Sequence, residues 1–532
     1  MKSYWRTGEP CVWVTGAALA VTLLIAATLI IVVMVNGLGV FWPGTLERLE
    51  LKDGSALLGE QTQREKTFES EKFRRQYKVG NRELYSLDFR WIDEADIVAA
   101  DVPEEALVLE REEYGNFYGF FRRLELEGSA VPDEADSYSA LQQAHAQIMQ
   151  RKALVRTMDD EISRLSYQLE RLRRKQLKAE YQGLDAEHPQ RLELKRNQAI
   201  LQDDFAHLVE QQNQKNASMR TTKAIFADVN GREQEIALAD IIDIYKPNRM
   251  SLIEKAGLYL QRLKELIVGE PRESNTEGGL FPAIFGTIML IFIMSLFSFP
   301  LGVIAAVYLR EYAKEGLIVR LVRIAVNNLA GIPSIVYGIF GLGFFVYGIG
   351  SSIDQLFFPE TLPTPTFGTG GILWASLTLA LLTVPVVIVS TEEALGAIPR
   401  EIREGSLALG STKFQTLMRI LLPMASPGIM TGLILSMARA AGEVAPLMIT
   451  GVVKLAPSLP IDGNFPFLHL DRKFMHLGFH IFDIGFQSPN VEAAKPMVFV
   501  TTLLLVLIVL TMSSVAIYLR NRMKKRYTFS TF

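Results

Sequence analysis

The chain has 532 residues, 49% hydrophobic and 21% charged, with a formal net charge of −3. Of its 55 Lys and Arg and 58 Asp and Glu residues, 79 lie between Pro43 and Leu280, which leaves about one charge in nine over the rest. A density that low, with long apolar runs, excludes a purely soluble chain, and the near-neutral balance excludes a nucleic-acid binder driven by net basicity. The single Cys11 excludes an intramolecular disulfide framework and any multi-Cys metal site.

The first element is an apolar run over 11–35, too long for the core of a signal peptide and long enough to cross a bilayer, so it reads as an uncleaved anchor. An insert over 43–278 follows. Its first part, 45–125, alternates apolar and polar residues around Asp53-Gly54 and Gly80-Asn81, which predicts a β-rich unit with hairpin turns at both pairs. A helical hairpin is expected over 138–215. Leu141, Ile148, Val155, Ile162 and Leu169 recur every seven residues, and Met158, Leu165 and Leu172 fill the second seam position. The run breaks at 183–189 and resumes with Leu194, Leu201 and Leu208, so the arms predict an antiparallel coiled-coil hairpin reaching about 60 Å. Two alternating runs around Asn230-Gly231, within 221–245, predict a further hairpin that completes the β unit. The segment 251–267 reads as an amphipathic helix returning the chain to the membrane.

Five more apolar stretches, 279–309, 322–348, 371–391, 425–451 and 497–519, make a five-helix core over 279–519, ahead of a basic tail over 520–532. With a cytoplasmic N-terminus, the inside segments (Lys2 and Arg6 in the stretch 1–42, then the later loops and tail) hold fifteen Lys and Arg, while the two short outside loops hold only Lys454, Arg472, Lys473 and Lys495. Both termini are therefore expected inside and the insert outside. The insert reads equally as a spacer or as a docking arm; His145, His188 and His207 have no ligand spacing. The outer pair His476 and His480 lacks a third ligand in register and reads as part of an interfacial amphipathic stretch.

The loop 392–424 carries the most specific pattern. Gly405 to Gly410 begins like a phosphate-binding loop, but Ser411 and Thr412 stand where Lys and Ser/Thr are needed, so the chain is not expected to hydrolyse ATP itself. Glu404, Gly405, Ser406 and Gly410, then Ile420, Leu422 and Pro423, have the spacing of a short helix, a glycine turn and a second helix, a knuckle shaped to lie in a groove on a partner or simply to join two spans. Arg439 and Glu443 lie four apart in the fifth stretch, which predicts one helix face, and serve either as a structural ion pair or as an anion-handling pair. Arginine suits phosphate because its planar fork donates two charge-assisted hydrogen bonds at once. Ser334, Asn327 and Asn328 are polar candidates for the same path, or for bonds between helices.

The Glu404–Pro423 pattern resembles the EAA loop of ABC-importer permeases, with Gly405 and Ser406 in place of two alanines. Residues 327–343 (NNLAGIPSIVYGIFGLG) and 438–451 (ARAAGEVAPLMITG) resemble the phosphate-importer permeases, and the GEVAPL ending favours the PstA type. The resemblance implies six transmembrane helices of the type I importer fold in a bacterial inner membrane. It further implies a homologous PstC-type permease partner, an ATPase dimer that binds ATP and Mg, and an extracytoplasmic phosphate-binding protein. The permeases it resembles lack the insert. A permease for another oxyanion or small solute, and an anchored extracytoplasmic sensor or regulator of phosphate uptake, stand as the alternatives.

Overall fold

The computed structural model describes residues 9–66, 73–126, 129–130, 137–272, 275–488 and 491–527. Lys2, Arg6 and the last five residues of the basic tail lie outside them. The chain forms two compact units: Met1–Val40 with Leu280–Phe358 and Thr364–Phe532, and Phe41–Gly279 with Pro359–Pro363. The last segment, which follows the third span in sequence, packs on the first arm helix of the second unit. Apolarity alone could not assign it there.

The second unit contains two antiparallel sheets. In the first, β1 (Leu46–Leu51), β2 (Ala56–Lys66), β3 (Phe73–Lys78), β4 (Phe89–Asp93) and β5 (Ile97–Asp101) run in the order β4-β3-β2-β1-β5. Gly54, at φ +79°, closes the β1–β2 turn. Gly80-Asn81 does not make the expected two-residue turn. Both have positive φ, and they lead into a short helix, Arg82–Tyr85, which receives no cap from the Asn81 side chain. It donates to the Tyr118 carbonyl at 2.8 Å and accepts from the Tyr118 N–H at 2.7 Å.

The second sheet takes β6 (Leu107–Arg111), β7 (Phe117–Leu126), β8 (Ser129–Ala130), β9 (Lys223–Ala227), β10 (Glu233–Ala237) and β11 (Ile241–Tyr245) in the order β10-β9-β7-β6-β11, with β8 on β7. Two long helices, Ser137–Tyr181 and Pro189–Arg220, interrupt it between β8 and β9 and pack side by side. Leu141, Ile148 and Val155 of the seven-residue stripe are buried together with Phe117, Leu124, Phe226 and Ile241, so the lower part of the arm shares one core with the sheet. Beyond Met158 the stripe is only half-buried, where the two helices have just each other to cover it.

Among the described residues of the first unit, six helices are long and apolar enough to cross a membrane: Cys11–Gly39, Phe281–Tyr312, Ser334–Phe357, Ile372–Gly396, Lys413–Gly442 and Val491–Lys524, here spans one to six. Span four is the most buried and packs against spans two and five. Small residues allow these crossings: a Cβ on Gly302 would meet Val387 at 2.7 Å, and one on Gly428 would meet Ala394 at 2.5 Å.

Three expected boundaries are corrected. Span three starts at Ser334, not 322. The residues before it form a separate helix, Leu317–Leu329, that stops at Gly331-Ile332-Pro333, because the residue before a proline is pushed out of helical geometry. Span five starts at Lys413 and ends at Gly442 rather than running to 451. Proline 446 has no N–H to bond the 442 carbonyl and its ring would clash there, so the chain breaks and restarts as Ala445–Thr450.

The shared core sets a stability contrast along the arm. Leu141→Ala should cost about 2–5 kcal/mol through the cavity it leaves, while Leu154→Ala, at a position 67% exposed, should stay within about 0.5 kcal/mol. Thermal unfolding of the purified chain reads both; equal shifts would contradict a core at the base of the arm.

Candidate functional site

The two helix breaks meet. The helix Ala445–Thr450 packs on the first turns of span three, and Gly338 makes this possible: a Cβ there would stand 2.8 Å from the Pro446 Cα, a backbone neighbour that cannot swing aside. The 327–343 and 438–451 motifs are thereby brought together. After Phe340, span three widens into a π-helix over Gly341–Gly350, a form common where helices serve a site.

Arg439 lies in the last turn of span five, and its Nε is 3.6 Å from Glu443 Oε1. The pairing stands, but the single helix face does not: Glu443 ends the helix with φ −80° and ψ 130°. Its carboxylate therefore hangs from extended backbone, and its N–H bonds only the Ala440 carbonyl. Both side chains are partly covered, Arg439 at 34% and Glu443 at 19% exposure. The Tyr337 hydroxyl donates to the Leu329 carbonyl at 2.7 Å, tying the helix before the break to span three. A partly exposed arginine held by one carboxylate at 3.6 Å keeps donors for an anion.

The other polar candidates separate. Ser334 is half-buried in the first turn of span three. Asn327 and Asn328 are exposed on the preceding helix rather than inside a span, and the Asn328 carbonyl accepts from Gly331 N–H at the turn.

The knuckle folds as helix Arg400–Ala408, a turn at Gly410 with φ +85°, and a second helix from Lys413. Thr412 caps the second helix reciprocally with Gln415. Ser406 is buried and its Oγ lies 2.9 Å from Thr416 Oγ1, locking the two helices. Gly405 does not share this close packing; it is exposed, with nothing near the place of a Cβ. Glu404 is exposed, while Ile420, Leu422 and Pro423 are half-buried where the knuckle joins span five.

Sequence reasoning missed what braces this knuckle. Arg403 Nη2 pairs with Glu311 Oε1 at 3.0 Å and Arg403 Nη1 donates to the Ile398 carbonyl at 2.7 Å. Arg323 Nε pairs with Glu392 Oε1 at 3.4 Å. The pairs link residues 69 and 92 positions apart, a separation that no local spacing announces. Leu407, Leu409, Phe414 and Met418 stay exposed, Leu409 at 89%. Four apolar side chains in a charged loop were a signal available in the sequence.

The His476–His480 stretch is corrected. Instead of an interfacial segment it is a buried helix, Leu477–Phe482, set among the spans: the Leu477 N–H donates to Thr287 Oγ1 at 2.9 Å, and His480 Nδ1 lies 3.2 Å from Thr501 Oγ1. The loop between the helix Ala445–Thr450 and this segment is braced at Asp462, which meets Arg472 at 2.7 Å and His469 Nε2 at 3.0 Å. Burial works against the Asp462 charge, but the Asn464 N–H, Arg472 and His469 outweigh it and hold the carboxyl at about 2. Because this lies below the ordinary aspartate value of 3.8, the stabilisation is complete above that value and is lost as pH falls through about 2. Asp462→Asn should therefore lower the melting temperature at pH 7, and the gap to the parent chain should narrow steadily below pH ~4 in thermal scans; a gap independent of pH would contradict this brace.

Comparison with known proteins agrees with these features. Residues 298–525 match the family model for the binding-protein-dependent transport system inner membrane component. The probable phosphate transport system permease protein PstA of Methanocaldococcus jannaschii is 34% identical over 224 residues, 41% of this chain and 72% of that protein. The probable ABC transporter permease protein YqgI of Bacillus subtilis is 32% identical over 41% of this chain and 70% of its own length. The phosphate transport system permease protein PstA of Mycobacterium leprae is 37% identical over 36% of this chain, and the chain spans only 58% of that relative. Among solved structures, the MetNI methionine ABC transporter is similar at 18% identity and a TM-score of 0.33, over 47% of this chain and 96% of that one. The matched family region spans the third to sixth membrane helices and the knuckle between them, and the chain belongs to the binding-protein-dependent transport system inner membrane components as an ABC permease of the PstA type.

Proposed function

We propose that this chain is the permease subunit of an ABC importer for inorganic phosphate. One observation carries the reading: the two motifs that resemble those of phosphate permeases meet at a double helix break, and there a partly exposed arginine pairs with a carboxylate, Glu443. An ion pair within a membrane unit is costly to keep for stability alone and suits an anion path. Arg439 attracts phosphate, Glu443 holds the guanidinium between substrates, and Ser334 lines the route. Asn328 serves the turn that sets the angle of span three.

The chain forms half of the pore, and a homologous PstC-type permease supplies the other half. The exposed Leu407, Leu409, Phe414 and Met418, on the knuckle braced by Arg403 and Ser406, are the surface offered to a partner ATPase dimer. That dimer binds ATP and Mg; this chain holds no cofactor. Closure of the ATPases pulls on Glu404–Pro423 and rocks span five, to which the knuckle is continuous. The Lys and Arg asymmetry supports cytoplasmic termini and an insert on the periplasmic side, where a phosphate-binding protein delivers the substrate. The insert's two long helices act as an antiparallel coiled-coil arm.

Arg439→Gln removes a charge-assisted contact worth about 1.5–3 kcal/mol, so phosphate uptake at limiting substrate should fall about 10- to 100-fold while assembly of the complex is unchanged. Uptake by cells expressing the variant, with co-purification of the subunits, checks both. Undiminished uptake would take Arg439 out of the path.

A further inference from the structure

The helix Leu252–Val268 has a second apolar face that nothing among the described residues covers. Its inner face is accounted for: Leu258 and Leu266 are buried, and Arg262 Nη2 donates to Tyr245 Oη at 2.6 Å. On the outer face Ile253, Leu260 and Ile267 recur every seven residues, 85%, 65% and 49% exposed, with Leu252 and Val268 beside them. Seven residues are nearly two full turns, so the three side chains form one stripe along a helix about 25 Å long. A soluble surface does not keep so many large aliphatic groups in water without a use.

We propose that this helix lies flat in the membrane surface, with the stripe seated between lipid headgroups and the upper acyl chains. Its continuity with the spans selects lipid as the occupant. Near its middle, Tyr259 packs on Trp42 with ring centroids 6.0 Å apart, and Arg262 Nη1 donates to the Phe41 carbonyl at 3.3 Å. Trp42 is three residues beyond the end of span one at Gly39, at most ~10 Å of chain. At its C-terminal end, Gly269 touches Gly279 so closely that a Cβ on Gly279 would stand 2.2 Å from the Gly269 carbonyl carbon. Gly279 is two residues before span two begins at Phe281, about 7 Å of chain. The helix is thus tied at two points to the places where the chain leaves and re-enters the bilayer.

The side chains fit that depth. Tryptophan and tyrosine favour the headgroup layer, where Trp42 and Tyr259 pair. Lys264, exposed at the edge of the stripe, can bury its stem and raise its ammonium to lipid phosphate. Ser251 and Glu254 form a reciprocal cap that starts the helix without help from a partner. The helix then couples the insert to the bilayer as well as to the chain. This does not depend on which solute the permease carries.

Collisional spin-label relaxation tests it on the full chain, with Cys11→Ala removing the native thiol, in vesicles of phosphatidylcholine and phosphatidylglycerol. Nitroxides are placed by Ile253→Cys and Leu260→Cys, with Leu23→Cys in span one as the lipid reference and Asp185→Cys at the arm tip as the water reference. Both sites are exposed, so the label displaces no packed neighbour. Oxygen should relax the 253 and 260 labels several-fold more than a water-soluble nickel chelate does, as at Leu23 but at shallower depth. Nickel access equal to that at Asp185 would overturn the proposal, as would low access to both reagents, which would mean that a protein surface, from a second copy or a partner, covers the stripe.

Discussion

A glycine at position 338 leaves room for the Pro446 backbone to approach span three at a distance that no side chain could share. Other features of the site depend on that approach. Two chain breaks of different origin, one before Pro333 and one before Pro446, come to lie against each other, and each frees backbone that a continuous helix would consume. Glu443 owes its extended backbone to the second break, and so can reach back to Arg439 from off the helix. In a membrane unit, irregular backbone is tolerated only where protein or a watery path surrounds it, and the paired breaks supply such backbone beside Arg439 and Glu443.

A second constraint works at the other end of span five. The knuckle has to be stiff within itself, yet present an uncovered surface. Ser406 against Thr416 and Arg403 against Glu311 supply the stiffness from inside, which leaves Leu407, Leu409, Phe414 and Met418 free to face outward. Because the second helix of the knuckle runs without a gap into span five, a push on Phe414 and a displacement of Arg439 are movements of one rod. That continuity gives a physical basis for passing a conformational change from a soluble partner to the pore.

Sequence patterns reached only part of this. The six apolar helices and the turn at Gly410 rest on local chemistry, hydropathy and a glycine with positive φ, and such signals survive in the sequence. Hydropathy reports whether a segment is apolar and not whether its helix is continuous, so the starts of spans three and five and the end of span five were misplaced, and Asn327 and Asn328 were assigned to a span they do not enter. The seven-residue stripe of the arm was visible because its repeat is local, although its packing partners lie far off in sequence. The pairing of β7 with β9, separated by both arm helices, left no local trace beyond alternation, and neither did Arg403 with Glu311. The placement of Pro359–Pro363 with the second unit was invisible for the same reason.

The central claim is that these parts together import phosphate. It is tested most directly by uptake of radiolabelled solute into proteoliposomes holding this chain with a homologous permease, an ATPase and a binding protein. The account predicts phosphate accumulation that requires both ATP and this chain and is not displaced by excess sulfate or molybdate. Accumulation of sulfate or molybdate in place of phosphate, or phosphate uptake that persists when this chain is left out, would contradict it.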